Sequence, residues 1–271
     1  QGYAVHGTDL AQPEGWDAGH AFTATRLQAW DGLEAAVADA DFVIHTAAIT
    51  NLDSVPEAEV FENNVTATSR LTYAAAAAGV RRFVYASSQS ALGFSRALSI
   101  LSPDYVPVDE DHPCHLTEGY GLSKVVGEQL CRTVNYRFGL ATVSLRFPVI
   151  WAPENFAAHV AKRSDDPVQA AKSMWSYVDV RDAARAVVLA LTAELPSFAV
   201  LNVAALWPFC EGDIRALVAA NYGKVEQRGP IGPDAPVYSA ARAETMLGFR
   251  AQYRWSASGI ETVAAGETAH V

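Results

Sequence analysis

The sequence predicts an α/β fold, a parallel sheet flanked by helices and followed by a smaller mixed lobe. Three observations carry that expectation. Short apolar runs alternate with helical patterns as far as residue 150, the arrangement that builds a parallel sheet with right-handed crossovers. Asp9, Ala47-Ala48, Ser87-Ser88 and Pro148 each stand just after such a run, and in these sheets ligands bind beyond the carboxyl ends of the strands. After residue 150 the alternation gives way to shorter elements of both kinds.

Taken in order, Gln1–Asp9 reads as a strand closing on Gly7-Thr8-Asp9. Residues 10–20, with Pro13, Gly15 and Gly19, read as loop, and residues 21–28 as a candidate strand. Asp31–Ala38 is a short helix with Leu33, Ala36 and Val37 on one face. Asp41–Ala48 is apolar enough to be a strand buried on both faces. A long helix runs from Pro56 to Ala78, closed by Gly79. Phe83–Ala86 is the next buried strand and ends at Ser87-Ser88. The connection that follows is about thirty residues, too long for an idle loop. Gly119–Phe138 then reads as helix and Ala141–Arg146 as strand. Beyond these, residues 153–175 look irregular, Trp175–Val178 is a short strand and Asp179–Ala193 a helix. A strand over Val200–Val203 and helices near Glu211–Ala220 and Ala240–Leu247, the last capped by Gly248, complete the lobe. No low-complexity linker separates the halves, so they are expected to pack together.

Composition narrows the function. Half of the 271 residues are hydrophobic and 18% are charged, the balance of an ordinary globular protein. A formal charge of −10 argues against nucleic acid or an anionic membrane surface as the main partner. No apolar run reaches the roughly 18 residues of a membrane span, and no leader opens the sequence. Cys114, Cys131 and Cys210 are odd in number and widely spaced, which fits a reducing, cytoplasmic setting. His112, Cys114 and His115 form a local cluster but lack a fourth ligand at suitable spacing, so no metal is expected.

The chemistry centres on Tyr120 and Lys124. Four apart on a helix, they share one face. An ammonium beside a phenol favours the phenolate and draws its pKa down from about 10. Such a phenol can exchange a proton with an alcohol–carbonyl pair, and a serine from Ser87-Ser88 can hold the same oxygen. All lie on the edge where the strand ends converge.

In this order the motifs resemble the extended short-chain dehydrogenases/reductases, the NAD-dependent epimerase/dehydratase family. The matching stretches are Asp9, Asp41-Phe-Val-Ile-His-Thr-Ala-Ala48, Asn64-Val-Thr-Ala-Thr68, Gly79-Val-Arg-Arg-Phe-Val-Tyr-Ala-Ser-Ser88 and Gly93. Tyr120-Gly-Leu-Ser-Lys124, Leu145-Arg146, Tyr177-Val-Asp-Val-Arg-Asp182 and Leu247-Gly248-Phe249 continue the series. The resemblance implies a Rossmann-like doubly wound sheet over residues 1–150 that binds NAD, with residues 151–271 mainly a substrate lobe. It implies Tyr120 as acid/base, Lys124 as the group that tunes it and holds the nicotinamide ribose, and Ser88 rather than Ser87 or Ser90 as the catalytic hydroxyl. Asp9 would take the adenosine ribose, Ala47, Ala48 and Pro148 would line the groove, and Asn64 would steady its loops. An acid at position 9 accepts from a 2′-hydroxyl and repels a 2′-phosphate, so NAD is expected over NADP. Thr50, Ser90 and Trp151 are the candidate substrate contacts. Relatives often dimerise through the long helices, and Thr68–Ala78 is apolar enough to serve either that or burial on the sheet.

Four departures from the pattern shape the expectation. No Gly-x-x-Gly-x-x-Gly is present, and from Asp9 it would fall before Gln1. The chain is therefore expected to be part of a longer parent, without the first strand and phosphate loop and with doubtful NAD affinity of its own. Leu92 and Val149 stand where sugar-nucleotide members carry Tyr and Asn, and Phe94–Pro113 is longer than usual. Gln89-Ser90 replaces the Asp-Glu pair of the dehydratases. The expected activity is NAD-dependent oxidation of a secondary alcohol, or reduction of a carbonyl, on a sugar or sugar-like acid. The alternatives are a sugar or nucleotide-sugar epimerase with the same site, and a non-catalytic dinucleotide-binding protein. Trp151, Trp175 and Tyr177 read as core or as a stacking surface. Arg181 and Arg185 read as a solvated face with Asp182 or as an anion clamp.

Overall fold

The computed structural model describes residues 2–29, 32–50, 54–164, 166–210, 212–256 and 259–263. Its centre is a four-stranded parallel sheet of β3 (Phe42–His45), β4 (Arg82–Ser88), β6 (Ala141–Phe147) and β9 (Phe198–Asn202), in the order β3-β4-β6-β9. β1 (His6–Asp9) and β2 (Ala21–Ala24) form a separate parallel pair. Side chains alternate across a strand, and β4 divides accordingly. Phe83 and Tyr85 pack with Leu71, Ala74, Cys131 and Val134, beneath α2 (Glu57–Ala77) and α3 (Gly119–Phe138). Val84 joins the opposite layer with Val143, Leu145 and Leu201. That layer is covered by α6 (Val180–Thr192), whose Ala183, Ala186 and Ala190 let it lie close.

The long helices match their sequence signals. α2 ends at Gly79 with φ 74° and α3 at Gly139 with φ 73°, conformations that glycine adopts without a Cβ penalty. The short helix α1 covers Leu33–Val37; the expected start at Asp31 lies outside the described residues.

Two segments differ from expectation. Residues 153–175 contain α4 (Phe156–Ser164) and α5 (Pro167–Lys172) instead of irregular chain. Asp166 caps α5 by accepting from Gln169 N, and Pro167 is its first residue, so the Asp-Pro that looks like a break is a helix start. The connection after β4 contains β5 (Tyr105–Val106), paired with β10 (Glu226–Gln227), and a bridge from Val108 to Tyr238. That connection is thereby stitched to the last third of the chain. The remaining elements are β7 (Val149–Trp151), β8 (Tyr177–Asp179), α7 (Ile214–Tyr222), α8 (Ala241–Leu247) and the hairpin β11 (Tyr253–Ser256)–β12 (Gly259–Thr262). Among the described residues no helix is long and apolar enough to cross a membrane.

Candidate active site

The carboxyl end of β4 and the first turn of α3 meet to form the site. The two adjacent serines point apart, as strand geometry requires. Ser87 donates to Glu128 Oε1 at 2.6 Å, inside a buried network in which Arg146 grips both carboxylate oxygens at 2.8 and 2.7 Å. Ser88 takes the other side, beside the Tyr120 phenol, whose ionisation it favours. It also accepts from Ser90 N at 3.1 Å, capping the short 3-10 turn Gln89–Leu92. Ser90 is engaged with Ser95, Oγ to Oγ at 2.8 Å.

Two glycines allow this approach. Gly93, at φ 91°, turns the chain out of the 3-10 helix, and a Cβ there would run into His115 O. Gly121 brings α3 so close that a Cβ would meet Ser90 O and the Glu118 carboxylate. Glu118 caps α3, accepting from Tyr120 N and Gly121 N, each at 2.6 Å. Neither Glu118 nor these close contacts were anticipated. An acid immediately before a helix was the available signal.

Tyr120 is 7% exposed and Lys124 3% exposed. Burial pushes the Tyr120 phenol above its ordinary value, while the Ser88 hydroxyl and the Arg96 charge pull it back. Lys124 was expected to depress that phenol directly. Instead its ammonium donates to Ala86 O at 2.7 Å and stands 5.5 Å from the Tyr120 ring centre and 5.0 Å from that of Tyr85. Desolvation lowers the Lys124 ammonium to about 8.

Asn64 locks the surrounding loops. Its amide pairs with both backbone groups of Ile49, at 2.8 and 3.0 Å, and donates to Ser123 Oγ at 3.3 Å. Ser123 in turn donates to Tyr120 O at 2.7 Å. Ala47 and Ala48 thus lie half-buried in a loop tied to α3. Thr50 is exposed, and its carbonyl accepts from Arg96 at 2.7 Å. Pro148 is buried between β6 and β7. Asp9 ends β1, exposed, with its carboxylate accepting from Leu10 N at 2.6 Å.

Trp151 corrects a sequence expectation. It is fully buried, stacked on Tyr177 at 4.9 Å and packed against Phe156 and Phe209, so it is core and offers no face to a substrate. Arg181 forks onto Asp179 and Arg185 binds Asp182, a wholly buried carboxylate, so these arginines are structural. Cys114 faces Arg146 at 3.8 Å, and His112 and His115 converge with Asp104 instead.

Comparison with known proteins identifies the family. Residues 1–204 match the NAD dependent epimerase/dehydratase family, and the chain belongs to it. A UDP-glucose 4-epimerase of Rhizobium meliloti is 35% identical over 107 residues, 39% of this chain and 30% of its own length. A 3-beta-hydroxysteroid dehydrogenase of Mycolicibacterium neoaurum is 36% identical over 124 residues, 43% of this chain and 32% of its own. The chain thus spans about a third of the length of the curated relatives it matches. An Agrobacterium tumefaciens short-chain dehydrogenase/reductase superfamily protein solved with bound NAD superposes with a TM-score of 0.67 at 27% identity, over 93% of this chain and 85% of that one. The Thermotoga maritima UDP-glucose 4-epimerase, at 18% identity, shares the fold with a TM-score of 0.67 over 93% and 87%.

Proposed function

We propose that the protein is an NAD-dependent oxidoreductase acting on a secondary alcohol or carbonyl of a sugar or sugar-like substrate. The observation that carries this reading is the Tyr120 phenol, eased toward ionisation by Ser88 and set above the buried Lys124 at the end of β4. The residues present fit the nicotinamide-ribose half of NAD. An ammonium has three donors, of which Ala86 O takes one, and ribose hydroxyls suit the others. Asp9 at the end of β1 suits the adenosine ribose. When bound, NAD supplies the hydride acceptor; the protein supplies geometry and proton management. Once ionised to the phenolate, Tyr120 Oη takes the hydroxyl proton, Ser88 Oγ holds the same oxygen, and the 7% exposure of Tyr120 keeps bulk water off that exchange.

Family membership and curated relatives named as epimerases favour one rival, in which the same residues serve an epimerase. Net NADH separates the two. A dehydrogenase accumulates it with a free sugar or uronic acid, whereas an epimerase interconverts stereoisomers of a sugar or nucleotide sugar without net NADH. Tight NAD binding with neither outcome would leave a dinucleotide-binding protein without turnover. Three free thiols and the acidic balance suit a reducing, cytoplasmic compartment without nucleic-acid partners. Exposed Tyr136 (77%) and Phe138 (47%) at the end of α3 support pairing of two copies through the long helices.

A further inference from the structure

Arg96 occupies a place in the site that no catalytic step above uses. It lies in the long connection after β4, and its guanidinium carbon stands 4.8 Å over the Tyr120 ring. One nitrogen donates to Thr50 O at 2.7 Å. Six other arginines are treated differently. Arg146, Arg181, Arg185, Arg215, Arg228 and Arg242 each hold a carboxylate at 2.6–2.8 Å. Among the described residues no carboxylate lies within ion-pair distance of Arg96, although the chain carries 30 acidic against 20 basic side chains. The nearby Glu118 is committed to the amides of Tyr120 and Gly121.

A guanidinium has five donors in a planar fork that fits a carboxylate, and a backbone carbonyl uses one of them. Leu92 and Val149, which the family resemblance sets toward the substrate, are apolar and pack on the core, so neither offers a charge. The cations beside Tyr120 are Lys124 and Arg96, and with Lys124 given to the nicotinamide ribose above, charge recognition falls to Arg96. A substrate whose carbinol sits against Tyr120 Oη and Ser88 Oγ has its neighbouring carbons within reach of that fork.

We infer that Arg96 receives the carboxylate of an acidic sugar, which makes a uronic acid rather than a neutral sugar the substrate class of this site. The assignment rests on the oxidoreductase reading for its chemistry and on Arg96 alone for its selectivity. The carboxylate replaces Thr50 O on the guanidinium, and a charge-assisted bidentate pair exceeds a single bond to a carbonyl.

The test compares glucuronate with glucose and galacturonate with galactose, plus UDP-glucose, as substrates of the full-length protein with NAD. The expected wild-type preference for the uronate is about 100-fold in kcat/KM, the scale of a desolvated charge pair. Arg96→Gln is expected to collapse that ratio, chiefly through KM, and Arg96→Lys to recover part of it. Equal loss on acid and neutral sugar, or a wild type that prefers neutral sugar or UDP-glucose, overturns the assignment. If no substrate yields NADH, calorimetric titration of the NAD-loaded protein with glucuronate decides. Binding that Arg96→Gln abolishes upholds Arg96 while sinking the oxidoreductase reading, and absent binding overturns Arg96 itself.

Discussion

Lys124 lies beneath Tyr120 without reaching its hydroxyl: the ammonium is 5.5 Å from the ring centre and is spent on Ala86 O at 2.7 Å. The two residues share a helix face, as Tyr-x-x-x-Lys spacing demands, yet in this state the phenol is governed by burial, Ser88 and Arg96. Holding Lys124 out of water is what the proposed role on the nicotinamide ribose requires.

That placement has a measurable cost. The Lys124 ammonium falls to about 8 in the folded protein against an ordinary 10.5. Between those values the unfolded chain binds more protons, so this contribution to stability rises with pH through the window and is most unfavourable below pH 8. Lys124→Met removes the buried charge. It is expected to raise stability at neutral pH by on the order of 3 kcal/mol, with the gain shrinking toward pH 10.5, while turnover falls sharply. Urea denaturation of both proteins across that range checks the sign.

Ser88, beside the phenol, lowers the Tyr120 pKa. Without it the phenolate is harder to form, so Ser88→Ala is expected to move the ascending limb of alcohol oxidation to higher pH. A loss of rate with an unmoved limb would confine Ser88 to orienting the substrate. The pH profile of kcat/KM decides between them.

Gly121 is where packing and chemistry meet. Gly121→Ala places a methyl against Ser90 O and the Glu118 carboxylate, and overpacking of this kind costs about 1–3 kcal/mol. The first turn of α3 must shift to relieve it, carrying Tyr120 from Ser88. The expected result is a modest drop in Tm with a disproportionate loss of activity; equal activity per folded molecule would contradict it.

Much of this was legible because it is local. α3 and its Tyr120–Lys124 face follow from helical spacing, and α2 from a long pattern closed by Gly79. The choice of Ser88 over Ser87 came with the family resemblance, and strand alternation accounts for it, sending Ser87 to Glu128. What stayed hidden is non-local or ambiguous. β5 exists only because Tyr105–Val106 finds a partner far along the chain at Glu226–Gln227. α4 and α5 were missed because Pro153 and the Asp166-Pro167 pair look like breaks in a segment of small residues. Trp151 could be told from a stacking surface only by its neighbours Tyr177, Phe156 and Phe209. Arg96 lay in a connection marked as functional by length alone, and its position over Tyr120 is a tertiary fact.

The most direct measurement is NADH formation by the full-length protein and its Tyr120→Phe variant, over the same sugars and uronic acids. Phe keeps the ring that Arg96 and Lys124 face and removes only the acid/base oxygen. Turnover is expected to fall by about 10²–10⁴, with NAD affinity within a few-fold of wild type. Undiminished turnover in Tyr120→Phe would contradict the claim that this phenol moves the proton.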